Sequence, residues 1–284
     1  MYGSHGCRKV SFRKQIKMMK YIKIAILALV MAVAAVSCKS QFDLLMQSND
    51  TDKLYKGAFE YFENKKFLKA SDLFDKLLLS VKGTEKDDTV QFYLGLSNYN
   101  YGDYTIAEAN FDQFIAVFPR SPFTEEAKYL RVECMYKSTY RYELDQTPTY
   151  KTMSAINEFL YEYPNSQYLK RMRDMLVDLQ ERLDRKSFES AKLYYTIEDY
   201  KAAAYALKNV LKENSDNQYR EEVLYYIVAS NHQYATNSVK EKQRERFLTL
   251  VDEYYNFISE YPESKYRKEV DKMFEQAQQY IKNK

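Results

Sequence analysis

The chain has 284 residues, 45% of them hydrophobic and 29% charged, which is too apolar for a disordered chain. It has only six Gly and five Pro, and no Gly after Gly102, so helices are favoured over hairpins and tight βα turns. The formal charge of +3 conceals a different balance. Without the seven bases before Cys38, 36 basic residues face 40 acidic ones, and a net of −4 gives no electrostatic case for nucleic acid or for strong attraction to an anionic surface.

Residues 1–17 read as a start-site artefact, with translation starting at Met18 or Met19. Lys20 and Lys23 precede an apolar run over residues 24–36, about a signal peptide's length and too short to span a bilayer. The run ends in Ala35-Val36-Ser37-Cys38. Small residues before a Cys let a processing enzyme grip the backbone, and the thiol accepts a lipid. Residues 18–37 therefore look like a bacterial lipoprotein signal peptide with Cys38 as the attachment site; the alternative is a plain signal peptide and a coincidental Cys. Lys39 in place of Asp, with no acidic run after it, points to the outer membrane and its periplasmic face. Residues 38–50 are expected to form a lipidated tether.

Self-similarity begins next. Leu54, Gly57, Ala58, Tyr61, Ala70, Phe74 and Leu77 recur 37 residues later as Gln91, Leu94, Gly95, Asn98, Ala107, Phe111 and Phe114. Ala191, Tyr194, Ala203, Leu207 and Val210 repeat the same slots. This resembles the tetratricopeptide pattern, a unit of two antiparallel helices whose small residues let the helices approach. A second element, aromatic-Pro-x-Ser-x-aromatic, occurs at Phe118 to Phe123, Tyr163 to Tyr168 and Tyr261 to Tyr266, with a decayed copy at Asn214 to Tyr219. In it Pro ends one helix and Ser caps the next.

Periodicity and breakers predict helices over 51–63, 67–79, 87–101, 104–117, 122–142, 148–162, 166–195, 199–213, 217–235, 241–260 and 265–281. Thr147-Pro148 reads as an N-cap followed by Pro at the first helical position. The span 166–195 is either one helix shared by two repeats or two helices kinked near Lys186. The fold class is all-α, a tetratricopeptide-type solenoid of about five helical hairpins.

In such a stack the first helix of each hairpin lines a concave side. Tyr55, Phe59, Phe62, Phe92, Leu96 and Tyr99 fall on its outer slots, extended by Tyr136 and Tyr140. They form either a peptide-binding groove or repeat core. An aromatic groove suits extended or partly folded peptides with aromatic ends.

Chemistry is sparse. His232 is the only His after Cys38, and no paired Cys, metal-ligand spacing or Gly-rich phosphate loop is present. Cys134 lies in an apolar helical pattern and reads as a core thiol. No cofactor, metal or enzymatic activity is expected.

The lipoprotein signal, the five repeats, the Tyr-Pro-x-Ser-x-Tyr corners and Asp145-Gln146-Thr147-Pro148 together resemble the BamD-type outer-membrane β-barrel assembly lipoproteins, from Cys38 to about Tyr280. The resemblance implies a scaffold. Residues 51–165 would engage unfolded outer-membrane proteins. Residues 166–284 would dock the POTRA domains of a BamA-like barrel subunit. The decayed fourth corner departs from the family pattern. Another periplasmic repeat lipoprotein, coordinating envelope assembly or division, is the alternative. A sugar-binding lipoprotein is disfavoured by the absence of Trp.

Overall fold

The structure, a computed structural model, describes residues 41–282. The expected signal segment and Cys38 lie outside them. Twelve α-helices and no strand make up the described residues. They divide into two compact units, one ending at Asp103 and one starting at Tyr104.

The first unit holds α1 (Gln41–Gln47), α2 (Thr51–Glu63), α3 (Phe67–Val81) and α4 (Asp87–Tyr101). Residues 41–47 correct the expected tether. They are helical because Phe42, Leu45 and Met46 recur on one face and pack onto the core of Leu54, Ala58, Leu73, Phe74, Leu77 and Leu94. Gly57 makes room for this docking, since a Cβ there would lie 2.7 Å from Leu45 Cδ1. Lys76 Nζ adds hydrogen bonds to the Met46 and Ser48 carbonyls. The Asp50 carboxylate caps α2, accepting from the Asp52 and Lys53 amides at 3.1 Å each. Ser71 donates to buried Asn98 at 2.7 Å, joining α3 to α4.

The second unit holds α5 (Tyr104–Val117), α6 (Thr124–Lys137), α7 (Thr147–Glu162), α8 (Leu169–Thr196), α9 (Tyr200–Glu213), α10 (Arg220–Thr236), α11 (Lys240–Glu260) and α12 (Arg267–Lys282). α8 is one continuous helix of 28 residues, with no Pro or Gly to break it. It serves two cores. Met172, Met175 and Leu179 pack with Val132, Ile156 and Phe159. Phe188 and Ala191 pack with Ala203, Leu207, Ile227, Phe257 and Val270.

Three turns share one backbone solution. Lys65, Gly102 and Glu198 have φ of 56°, 96° and 66°. After each, the amide of Lys66, Asp103 or Asp199 bonds back to the carbonyl of Tyr61, Asn98 or Tyr194 at 2.9, 3.0 and 2.9 Å. This is the Schellman arrangement, which uses a left-handed residue to satisfy the last helical carbonyls. Only one of the three has the Gly that the conformation favours.

The corners also repeat. Ser121, Ser166 and Ser264 accept from the amide two residues on, at 3.3, 3.1 and 3.0 Å. Asn217 does the same for Tyr219 at 2.8 Å, so the decayed corner keeps its geometry with a different side chain. The aromatic ending each of the last three corners stacks on a ring of an earlier helix. These pairs are Tyr168 on Tyr129 at 3.9 Å, Tyr219 on Phe188 at 5.3 Å and Tyr266 on Tyr225 at 4.1 Å. The fourth corner is further fixed by Asp184, buried on α8, whose carboxylate accepts from Asn214 Nδ2 at 2.8 Å and from the Gln218 amide at 3.0 Å.

Residues 138–142 were expected to continue α6, but the helix ends at Lys137. The Ser138 and Thr139 hydroxyls bond back to the Cys134 and Tyr136 carbonyls. Lys186 Nζ takes the Tyr142 and Leu144 carbonyls at 3.1 and 2.8 Å. At the start of α7, Asp145, not Thr147, supplies the capping oxygen, accepting from the Thr147 amide at 3.2 Å.

Candidate functional site

In the first unit Tyr55, Phe59 and Phe62 lie on one face of α2, since their spacings of four and three residues bring them into line. All three are half-buried. Tyr55 and Phe59 are 4.9 Å apart at their ring centroids. Tyr93 of α4 meets Phe59 edge-on at 4.7 Å and Phe62 at 5.2 Å. Below them Phe74 closes the cluster, 5.1 Å from Phe59 and itself fully buried. The outcome is a continuous face in which the rings of Tyr55, Phe59, Phe62 and Tyr93 stay partly exposed over buried Phe74. Lys86 Nζ lies 4.8 Å from the Tyr55 centroid and pairs with Asp52 at 2.8 Å, placing one cation at its edge.

The expected α4 residues separate. Leu96 and Tyr99 are half-buried. Phe92 is only 2% exposed and belongs to the core, which corrects its assignment to a groove. α4 buries Asp87, Val90, Phe92, Leu94, Gly95, Ser97 and Asn98, positions that run round most of its circumference. A helix enclosed on several sides has no free slot at the position equivalent to Tyr55. Its neighbour Tyr93, absent from the sequence reading, carries the ring that meets α2. The adjacent pair Phe92-Tyr93 signalled two aromatic faces, but spacing did not say which was core.

In the second unit Tyr136 is a clamp. Its hydroxyl donates to Asp178 Oδ2 at 2.8 Å. The guanidinium carbons of Arg171 and Arg182 each lie 5.3 Å from its ring centroid. Burial first, and then the hydrogen bond to Asp178, push the Tyr136 phenol above its ordinary pKa. Arg171 also binds buried Glu133 through Nε at 2.6 Å and Nη2 at 3.1 Å. Burial alone would raise the Glu133 carboxyl, but the Arg171 and Tyr129 hydrogen bonds outweigh it and the net shift is downward. These α8 side chains were not singled out from the sequence, although Arg171, Asp178 and Arg182 recur at spacings that share a helix face.

Tyr140 differs. It is 50% exposed and stands at a cleft of about 300 Å³ that also takes in Met135, Asp145, Pro148 and Lys151. Gln146, between the cleft residues Asp145 and Thr147, braces the loop. It is buried, donates to the Arg141 and Leu144 carbonyls at 2.8 and 3.0 Å, and accepts from Thr149 at 2.8 Å. Glu108, also lining the cleft, has its carboxyl pKa raised by burial against the opposing charge of Arg131.

Cys134 is buried, and burial pushes its thiol up to about 12, the state of an inert core residue. His232 Nε2 meets Gln276 at 2.7 Å, and burial lowers its pKa. Among the described residues no group of three or more His, Cys, Asp or Glu is placed to hold a metal, and no helix is long and apolar enough to cross a membrane.

Stacked helical hairpins carrying a ring-lined face define a tetratricopeptide-type repeat protein. The chain belongs to the YfiO family, described as outer membrane lipoprotein, whose model matches residues 47–247. It is 21% identical over 237 residues to outer membrane protein assembly factor BamD of Caulobacter vibrioides, covering 82% of this chain and 76% of that protein. It is 23% identical over 216 residues to BamD of Rickettsia prowazekii, covering 75% of this chain and 84% of the relative. Among solved structures, the TPR2AB domain of yeast Sti1 in complex with pHSP90 aligns at TM-score 0.40 with 14% identity, covering 80% of this chain and 98% of that one.

Proposed function

We propose that the chain is a non-enzymatic scaffold of outer-membrane β-barrel protein assembly, held to the periplasmic face of the outer membrane by lipid on Cys38. Its family membership and its two BamD relatives support this role. The observation that carries the binding reading is the half-buried ring face of Tyr55, Phe59, Phe62 and Tyr93. Rings that touch mainly other rings present apolar area and, in Tyr55, a hydroxyl for peptide backbone. Partly folded barrel strands, with alternating apolar and aromatic residues, match such a face. The N-terminal repeats are assigned to unfolded outer-membrane proteins. Residues 166–284 are assigned to docking the POTRA domains of a BamA-like barrel subunit.

The test is photo-crosslinking of the acylated chain to an unfolded outer-membrane protein. Tyr55→Ala with Phe62→Ala should cut crosslinking several-fold while helicity is retained. Unchanged crosslinking would remove the ring face from the mechanism. Co-purification with a POTRA-bearing barrel protein, lost when residues 166–284 are deleted, tests the second assignment. Recovery of an unrelated envelope complex would favour a different assembly role.

A further inference from the structure

α1 and the turn between α2 and α3 meet in one surface. The Phe42 ring packs edge-on to Tyr61 with centroids 5.6 Å apart. Lys69 Nζ lies 5.1 Å from the Phe42 centroid and 5.8 Å from that of Tyr61, and Lys66 Nζ lies 5.5 Å from Tyr61. Lys65, the left-handed residue of the turn, is exposed beside them. The first unit pairs Lys53 with Asp50 and Lys86 with Asp52, but among the described residues no carboxylate pairs with Lys65, Lys66 or Lys69. Two exposed leucines lie on the same two elements. Leu68, in the first turn of α3, is 47% exposed, and Leu44, on the outer side of α1, is 56% exposed.

The position of this surface is constrained. α1 begins three residues after Cys38, a span of at most about 10 Å for an extended chain. α1 is also held in place, with Leu45 in the space left by Gly57 and Lys76 on the Met46 and Ser48 carbonyls. An anchor at Cys38 therefore brings a docked helix, and not a loose tether, to the bilayer.

We propose that Leu44, Leu68, Lys65, Lys66 and Lys69 form a surface that rests in the headgroup layer of the anchoring bilayer, with the lysines on anionic phospholipid phosphates. The proposal rests on the reading that Cys38 is acylated. The net charge of −4 does not oppose it. Exposed charges are screened beyond about 8 Å at physiological ionic strength, so the lysines respond to the phosphates beside them, and the anchor supplies the approach. The ammonium groups of Lys66 and Lys69 sit over the Tyr61 and Phe42 rings with no carboxylate partner among the described residues, which holds positive charge at an apolar edge, as a boundary between apolar and charged layers requires.

The chain contains no Trp, so Leu44→Trp in the acylated chain provides a single reporter. It is placed in vesicles of phosphatidylethanolamine and phosphatidylglycerol with brominated acyl chains. The reporter should be quenched and blue-shifted. A reporter introduced by Leu79→Trp, at a site 88% exposed towards the other end of α3 and about 16 Å along that helix from Leu68, should stay unquenched. Replacing Lys65, Lys66 and Lys69 by Ser should shift the docked-to-undocked ratio about fivefold per lysine, with circular dichroism unchanged. It should also abolish the difference between phosphatidylglycerol and phosphatidylcholine vesicles. A mature chain whose mass shows no acyl groups overturns both the anchor reading and this proposal. An acylated chain whose Leu44→Trp reporter stays unquenched, or is indifferent to the three lysines, overturns this proposal alone.

Discussion

The aromatics of α2 and of α6 occupy comparable outer slots of a hairpin's first helix, yet they do different things. On α2, Tyr55, Phe59 and Phe62 touch mainly other rings and keep part of each face open. On α6, Tyr136 is enclosed by two guanidiniums and a carboxylate, all from α8. An aromatic at an outer slot is thus a binding surface or a structural clamp according to what the neighbouring helix presents. Rings against rings leave apolar area to offer, whereas cations against a ring saturate it.

Four substitutions sharpen the contrast. The largest effect is expected at Phe92, whose slot matches Tyr55 but whose side chain is core. Phe92→Ala should cost about 3–5 kcal/mol of stability in chemical denaturation, where Tyr55→Ala should not. A mild Phe92→Ala phenotype would return that residue to the surface. Next is Glu133→Gln, which removes the charged partner of Arg171. The expected loss is about 2 kcal/mol, moderated because Arg171 is partly solvated. It carries a pH signature. The folded pKa of Glu133 is held down, so its stabilisation is complete above the ordinary carboxylate range and is lost as pH falls through the lowered value. Glu133→Gln should therefore flatten the acid side of the stability curve, and an unchanged curve would show that the pair contributes nothing.

Tyr136→Phe keeps the ring between the guanidiniums and deletes only the donor to Asp178, at a cost of about 1 kcal/mol in thermal melts. If the loss matched that of Tyr136→Ala, the ring contacts would be unimportant. Tyr55→Ala should be the mildest, below about 1 kcal/mol, since it removes one partly open ring and the Lys86 contact. Its effect should appear in peptide crosslinking instead. A large stability loss would make the α2 face structural, like that of α6.

Helix existence and most boundaries were readable from the residues. Apolar periodicity, small residues at crossing points and Pro-x-Ser corners are local, short-range devices, and α2, α4 and α5 run over the expected 51–63, 87–101 and 104–117. The all-α repeat architecture followed from them, because hairpins with one oily face must stack. What was not readable depended on distant partners. Residues 41–47 become helical because a Gly in α2 leaves room for Leu45. α6 stops at Lys137, where the Ser138 and Thr139 hydroxyls turn back on its last carbonyls, and Lys186, more than forty residues away, holds the loop beyond through the Tyr142 and Leu144 carbonyls. Two of the three Schellman turns place Lys65 and Glu198 in the left-handed conformation, with no Gly to reveal them. The same holds for the aromatics. Their identity and spacing are written in the chain, but whether Phe92 is hidden, Tyr93 shared or Tyr136 clamped is settled by burial and by charges on other helices, which pattern along one segment does not encode.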